Sequence, residues 1–182
     1  MATQTWTKIC CIASPEEAAL AVSAGANAVG LVSVMPSGPG PIPEERIASI
    51  AAGLPANTES VLLTSLKVPE EIRTQVRRCG CTALQLCDYL PLGELAELRD
   101  LLPKIRLYPV VHVQDDDDIE RAANFAAHAD AILLDSGRPR AGRRELGGTG
   151  RPHDWELSRR IVETCSVPVI LAGGLNPGNV AE

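Results

Sequence analysis

Aromatic residues are scarce in this chain: one Phe, two Trp and two Tyr make up 3% of 182 residues. None is interleaved with a basic run, so the combination of stacking and positive charge used by nucleic-acid binders is missing. Positive charge is also short, with 17 Lys and Arg against 23 Asp and Glu and a net charge of −6. Nucleic acid is therefore not an expected partner. No apolar run nears the roughly 20 residues that cross a bilayer, and the opening MATQTWTKICC has no basic start followed by an apolar stretch. No membrane contact and a cytoplasmic location are expected. The six cysteines (Cys10, Cys11, Cys79, Cys81, Cys87, Cys165) show no C-x-x-C spacing and the histidines no H-x-x-x-H spacing, so no metal is expected. Their apolar surroundings suit reduced thiols, and Cys79 and Cys81 stand too close for an ordinary bridge.

What is present is a rhythm. Short runs rich in Val, Ile and Leu recur every 20 to 30 residues, separated by segments with the 3.6-residue period of amphipathic helices. Strands are expected over 8–12, 28–33, 60–64, 83–87, 107–113, 131–135 and 168–172. Helix starts are marked by Ser14-Pro15-Glu16-Glu17, which supplies a cap hydroxyl, a first-turn proline and two acids. Ile42-Pro43-Glu44-Glu45 and Val68-Pro69-Glu70-Glu71 repeat the proline-acid-acid order. Asp115 to Asp118 precede another helix and are explained by its dipole rather than by a cation. Strands apolar on both faces and alternating with helices imply a parallel sheet with right-handed crossovers.

A dinucleotide-binding open sheet would place G-x-G-x-x-G after the first strand, where Cys11-Ile12-Ala13-Ser14 stands instead. The glycine-rich turns come late: Gly147-Gly148-Thr149-Gly150 after the sixth strand and Gly173-Gly174 after the seventh. Barrels of the (β/α)₈ type bind phosphate at such late loops. The expectation is one β/α-barrel domain over 1–182, with about seven βα units and the eighth missing, since the chain stops where a seventh helix would begin. In a barrel the chemistry sits at the C-terminal ends of strands, which singles out Cys10 and Asp135. Taken alone, each has an ordinary reading, as a small buried hydrophobe and as a turn or cap residue.

These stretches resemble the phosphoribosylanthranilate isomerases of tryptophan biosynthesis. Lys8-Ile9-Cys10 is similar to the opening K-I-C-G, Gln85-Leu86 to Q-L-H-G, and Leu134-Asp135-Ser136 to L-D-S. Gly147-Gly148-Thr149-Gly150 with Asp154-Trp155 is similar to G-G-T-G-x-x-F-D-W, and Leu171 to Leu175 to L-A-G-G-L. The resemblance runs in order through nearly the whole chain. It implies an Amadori rearrangement of N-(5-phosphoribosyl)anthranilate, an aminoaldose, to the aminoketose 1-(2-carboxyphenylamino)-1-deoxyribulose 5-phosphate, with no cofactor. It also implies Asp135 as the acid that opens the ribose ring and Cys10 as the base that takes the C2 proton. Asp135 must then keep its proton, favoured by apolar neighbours such as Ile132 and Leu133. Cys10 needs positive charge nearby, for which Lys8, on the same strand face, is the candidate; its alternative is a solvated or bottom-facing lysine. Phosphate is expected on the backbone of Gly147, Gly148, Thr149, Gly150, Gly173 and Gly174, with Lys8, Gln85 and Asp154 as further substrate contacts. The partner is thus a small phosphosugar, and the chain acts as a monomer or a homodimer.

Three positions depart from the family's pattern. Ser37-Gly38-Pro39-Gly40 stands where it reads S-P-R-Y, so the arginine that pairs with the anthranilate carboxylate is Pro39 here. Cys11 replaces the glycine of K-I-C-G, and Cys87-Asp88 replaces His-Gly. The basic loop from Gly137 to Arg144 holds arginines that are candidates to meet the carboxylate, or simply to be solvated. Two other readings stay open: an isomerase or lyase for a phosphosugar without that carboxylate, and a non-catalytic barrel that binds a phosphorylated ligand or a partner subunit. Convergence of Cys10 and Asp135 on one space separates the catalytic readings from the last.

Overall fold

Side chains of a strand alternate between faces, so seven strands that are apolar throughout need cover on both sides. The computed structural model of the chain describes residues 5–137, 146, 150 and 153–181, and in it helices cover one side while the sheet curves to cover the other. The strands are β1 (Lys8–Ile9), β2 (Ala28–Val32), β3 (Glu59–Thr64), β4 (Ala83–Leu86), β5 (Arg106–His112), β6 (Ile132–Asp135) and β7 (Val169–Leu171). Between them run α1 (Pro15–Ser23), α2 (Glu44–Gly53), α3 (Pro69–Cys79), α4 (Leu92–Leu101), α5 (Asp117–Ala126) and α6 (Trp155–Thr164). All neighbouring strands are parallel and lie in chain order from β1 to β7.

Two clusters divide the apolar residues by this alternation. Val29, Leu31, Leu62, Leu84, Leu107, Val111, Ile132 and Leu134 face outward against helix residues such as Ile47, Ile72, Leu95, Leu98, Phe125 and Ile161. Ala28, Val32, Val61, Leu63, Ala83, Tyr108 and Ala131 form a second cluster on the inner face, joined by Leu146. A packed interior inside a sequentially ordered parallel sheet is the architecture of a (β/α)₈ barrel. Among the described residues seven of its strands are present, and β1 and β7 each pair on one side only.

The helix starts follow the sequence closely. Ser14 Oγ accepts the Glu17 amide at 3.2 Å, and Pro69 sits in the first turn of α3. Pro43 differs: it is the N-cap of α2 itself, one step earlier than the proline-acid-acid pattern suggests. In the aspartate run, Asp118 is buried and its carboxylate accepts the Gln114 and Asp115 amides at 2.7 and 3.2 Å while pairing with Arg121, so it ties down the segment that leads into α5. The first strand is shorter than the expected 8–12. Cys11 takes φ 61°, a left-handed conformation that costs a residue with a Cβ about 1–2 kcal/mol. The chain leaves the ladder there, although the Ile12 amide still reaches the Gly30 carbonyl at 3.2 Å.

At the N-terminal face a polar network closes the floor. The buried Glu59 carboxylate accepts the Tyr108 hydroxyl at 2.7 Å and meets Arg106 at 2.7 Å. Burial, and then the Glu59 contact, push the Tyr108 phenol well above its ordinary range. The N-terminal face of a barrel serves stability rather than chemistry, which leaves the opposite rim for function.

Candidate active site

The alternation that places Ala28, Ala83, Tyr108 and Ala131 inside also directs Lys8, Cys10, Gln85, Cys87, His112 and Asp135 inward. Of these, Cys10, Cys87, His112 and Asp135 stand at the C-terminal ends of β1, β4, β5 and β6. Cys10 is exposed, and its thiol lies against Gly30 of β2. A Cβ on Gly30 would stand 2.9 Å from Cys10 Sγ and 3.1 Å from Cys10 Cα, so only glycine lets the thiol sit there. Sequence reasoning missed Gly30, although a lone glycine inside an apolar strand signals such a close approach.

Lys8 is neither solvated nor turned to the floor. It is half-buried, and its ammonium donates to the Gln85 side-chain oxygen across the interior. Gln85 is buried and its amide donates to Cys87 Sγ at 3.4 Å. Cys87 is buried too, and burial pushes its thiol up to about 12. Lys8 opposes that rise, while Cys10 and Asp135 add to it. The same fully buried thiol therefore feels the base candidate, the acid candidate and the lysine at once.

Asp135 is half-buried at the end of β6, and its Oδ1 accepts the Ser136 amide at 2.6 Å. The turn after β7 presses against it. Gly173 has φ +83°, and a Cβ there would stand 2.9 Å from Asp135 Oδ1, Ser136 N and Ser136 Oγ. Gly174 is left-handed as well, at φ 69°. The two glycines expected to cradle phosphate are thus beside the acid, on the rim. Gly150 is exposed, with φ 67°. Gly147, Gly148 and Thr149, and the loop arginines 138, 140, 143 and 144, lie outside the described residues.

Asp154 serves the fold, since its Oδ1 accepts the Glu156 and Leu157 amides at 2.9 and 3.2 Å and caps α6. The neighbouring His153, which no motif flagged, bonds Ser158 Oγ at 2.7 Å through Nε2. Burial lowers its imidazole and the charge of Asp135 partly offsets that, which places it within the field of the acid. At a rim position that departs from the family pattern, Cys11 packs on Gly40 and its thiol donates to the Pro39 carbonyl at 3.6 Å. Cys11 is raised by burial and by Cys10, against the pull of Lys8. Asp88, also new at the rim, pairs with Lys67 at 3.3 Å.

Among the described residues no group of three His, Cys, Asp or Glu is arranged to hold a metal ion, and no helix is long and apolar enough to cross a membrane. An open hollow of about 250 Å³ lined by Tyr89, Leu92, Glu120, Arg121 and Phe125 lies against α4 and α5. It touches neither Cys10 nor Asp135 and is not the site. The rim instead gathers a thiol, a carboxyl, two imidazoles, a lysine beneath and paired left-handed glycines. That set can give a proton, take a proton and offer main-chain amides to an anion.

A family model described as N-(5'-phosphoribosyl)anthranilate (PRA) isomerase matches residues 7–182. The chain is 37% identical to the N-(5'-phosphoribosyl)anthranilate isomerase of Methanocella arvoryzae, over 98% of this chain and 81% of that one. It is 36% identical to that of Halobacterium salinarum, over 98% and 79%. Among solved structures, phosphoribosyl anthranilate isomerase from Thermus thermophilus superposes with a TM-score of 0.81 at 25% identity, over 97% of this chain and 80% of that one. A phosphoribosyl anthranilate isomerase in complex with reduced 1-(o-carboxyphenylamino)-1-deoxyribulose 5-phosphate superposes with 0.77 at 28% identity, over 98% and 80%. A third, described as monomers generated from the dimeric Thermotoga maritima enzyme, gives 0.76 at 29%, over 98% and 80%.

Proposed function

The chain belongs to the N-(5'-phosphoribosyl)anthranilate isomerase family of tryptophan biosynthesis, and from that membership we propose that it isomerises N-(5-phosphoribosyl)anthranilate with Asp135 as acid and Cys10 as base. Its activity is that of an aldose-ketose isomerase. The observation that supports the two roles is placement: both groups end strands on the inner face, and both are felt by one buried thiol, that of Cys87, between them in chain order.

The steps balance as proton transfers. Asp135 protonates the ribose ring oxygen as the C1–O bond breaks and the anthranilate nitrogen lone pair closes a C=N bond. Cys10, as thiolate, removes the C2 proton, and that electron pair forms the enolamine. Ketonisation returns a proton to C1, for which the Cys10 thiol is the donor. The proton leaving the C2 hydroxyl restores Asp135. No redox or group-transfer agent enters, so no cofactor is needed. Lys8, held by Gln85, is the positive charge on the same strand face two residues before Cys10. The 5-phosphate docks on the backbone of Gly173 and Gly174 together with that of Gly147 to Gly150.

The site of action is the cytoplasm, where six free thiols suit a reducing compartment. The chain works there as a monomer or homodimer; one solved relative is described as dimeric.

Pro39 in place of the carboxylate-pairing arginine is the one observation that favours a different phosphosugar. Titration with the reduced product analogue bound in the solved relative decides between them. Binding at least about tenfold tighter than inorganic phosphate, worth about 1.4 kcal/mol, is the expected result. Affinity no greater than for phosphate means that the anthranilate half goes unrecognised.

A further inference from the structure

His112, like His153, is a rim imidazole that the family motifs do not cover, and of the two only His112 lies on a strand. It closes β5, is 7% exposed and is the register partner of Asp135 across the β5–β6 ladder. In a parallel pair, register partners point to the same face about 4.8 Å apart, so the imidazole and the carboxyl are neighbours on the inner wall. Nε2 lies 3.1 Å from the Cys87 carbonyl oxygen. A carbonyl only accepts, so Nε2 carries the hydrogen and in the neutral ring Nδ1 is a bare lone pair. That Nδ1 is buried and has no hydrogen-bond partner among the described residues, an omission that costs about 1–3 kcal/mol in a folded protein. A group left unpaired at such a cost calls for a partner that appears in the working state.

Asp135 offers that partner. Its Oδ1 is taken by the Ser136 amide, which leaves Oδ2 to carry the proton that the acid role requires. We propose that His112 is a positioning residue for Asp135, its Nδ1 accepting a hydrogen bond from the protonated carboxyl and so keeping the acid loaded beside the substrate's ring oxygen. This deepens the isomerase reading and rests on it. At positions 87 and 112 the chain is internally consistent: the family's Q-L-H-G places a histidine at the end of the fourth strand, whereas here Cys87 stands there and an imidazole from β5 is bonded to its carbonyl.

The other groups facing this pair do not supply the same contact. Asp118 and Arg121 lie on α5 and influence His112 in opposite directions, weaker than burial, which lowers the imidazole and keeps it neutral. Cys87, on β4, stays a neutral thiol because burial raises it. His153 also feels Asp135 and also has a buried Nδ1 unpaired among the described residues, with Nε2 on Ser158, but it is only half-buried and precedes α6, so no strand register sets it beside the carboxyl. A neutral acceptor beside a carboxyl favours its protonated form. Loss of His112 must therefore move the alkaline limb of the kcat profile to lower pH.

The test uses His112→Asn, His112→Gln and His112→Leu in the full chain. An Asn oxygen falls near the place of Nδ1 and a Gln amide near that of Nε2. In His112→Leu and His112→Gln the alkaline limb is expected to move down by about one pH unit, a loss of about tenfold in kcat on that limb, with KM and the acidic-side rate retained. His112→Asn is expected to restore the wild-type profile. Rescue by Gln and not by Asn makes the Nε2 bond to Cys87 the whole role and overturns the proposal, as does an unmoved or upward-moved limb in His112→Leu. A readout independent of turnover and of these variants is the ¹⁵N shift of His112 Nδ1 in the otherwise native protein. It is expected to change with Asp135→Ala or on raising the pH through the alkaline limb. An Nδ1 shift indifferent to both overturns the contact even if the protein turns over its substrate. A responsive shift in a protein that leaves this substrate untouched overturns the isomerase reading while keeping the contact.

Discussion

Asp135→Asn is expected to lower kcat/KM by about 10²–10⁴-fold, the range for loss of a positioned acid, while the protein stays folded. The substitution is nearly isosteric. An amide oxygen still accepts the Ser136 amide that Asp135 Oδ1 takes at 2.6 Å, and Gly173 still has room beside it, but no acidic proton remains for the ribose ring oxygen. Cys10→Ala is expected to fall in the same range for a different reason, since no thiolate remains for the C2 proton. The double variant should lose little more than the worse single one, because acid and base act on one reaction and their effects do not add. Steady-state kinetics with freshly prepared substrate, beside a thermal melt for each variant, reads both points. A variant that melts normally and keeps more than about a tenth of wild-type kcat/KM removes its residue from the proposed pair.

Gly173→Ala is expected to cost at least about 10²-fold in activity, the scale for displacing a catalytic group by about 1 Å, with only modest loss of stability. The backbone there is at φ +83°, where a Cβ costs about 1–2 kcal/mol, and the new atom would stand 2.9 Å from Asp135 Oδ1 and from the Ser136 amide and hydroxyl. Ser136 N belongs to the main chain just after β6 and cannot turn aside, so the carboxyl or the β7 turn must move. Gly25→Ala is the control. Gly25 is equally left-handed, at φ +95°, but a Cβ there meets nothing within 4 Å. It should lower the melting temperature by a similar amount and leave kcat/KM unchanged. Equal activity losses in both variants would mean that strain, rather than contact with Asp135, is what Gly173→Ala reports.

Much of this arrangement was legible in the residues. Every expected strand formed, because a run such as Val61 to Thr64 that is apolar on both faces can only be a covered parallel strand. A cap such as Ser14 is local, so its partner lies three residues away and sequence shows it directly, whereas Asp154, expected as a substrate contact, proved to cap α6. Cys10 and Asp135 were legible through the motifs around them, and their shared inner face follows from the period of two. What stayed hidden depends on contacts between distant segments. Gly30 matters because Cys10 crosses over it from another strand. Lys8 bonds Gln85, 77 residues on, and nothing local separates that from a solvated lysine. His112 fell inside the expected strand 107–113, and only the β5–β6 register sets it beside Asp135. The short first strand has a local cause instead: Cys11 occupies a left-handed position that glycine would fill without strain.

The most direct test of the central claim is turnover of freshly prepared N-(5-phosphoribosyl)anthranilate by the unaltered protein, followed by the loss of its fluorescence and by recovery of the aminoketose product. The account predicts conversion without any added metal or cofactor, slowed at least about 10²-fold by Asp135→Asn. A folded protein that binds the reduced product analogue and yet leaves this substrate unchanged would contradict it.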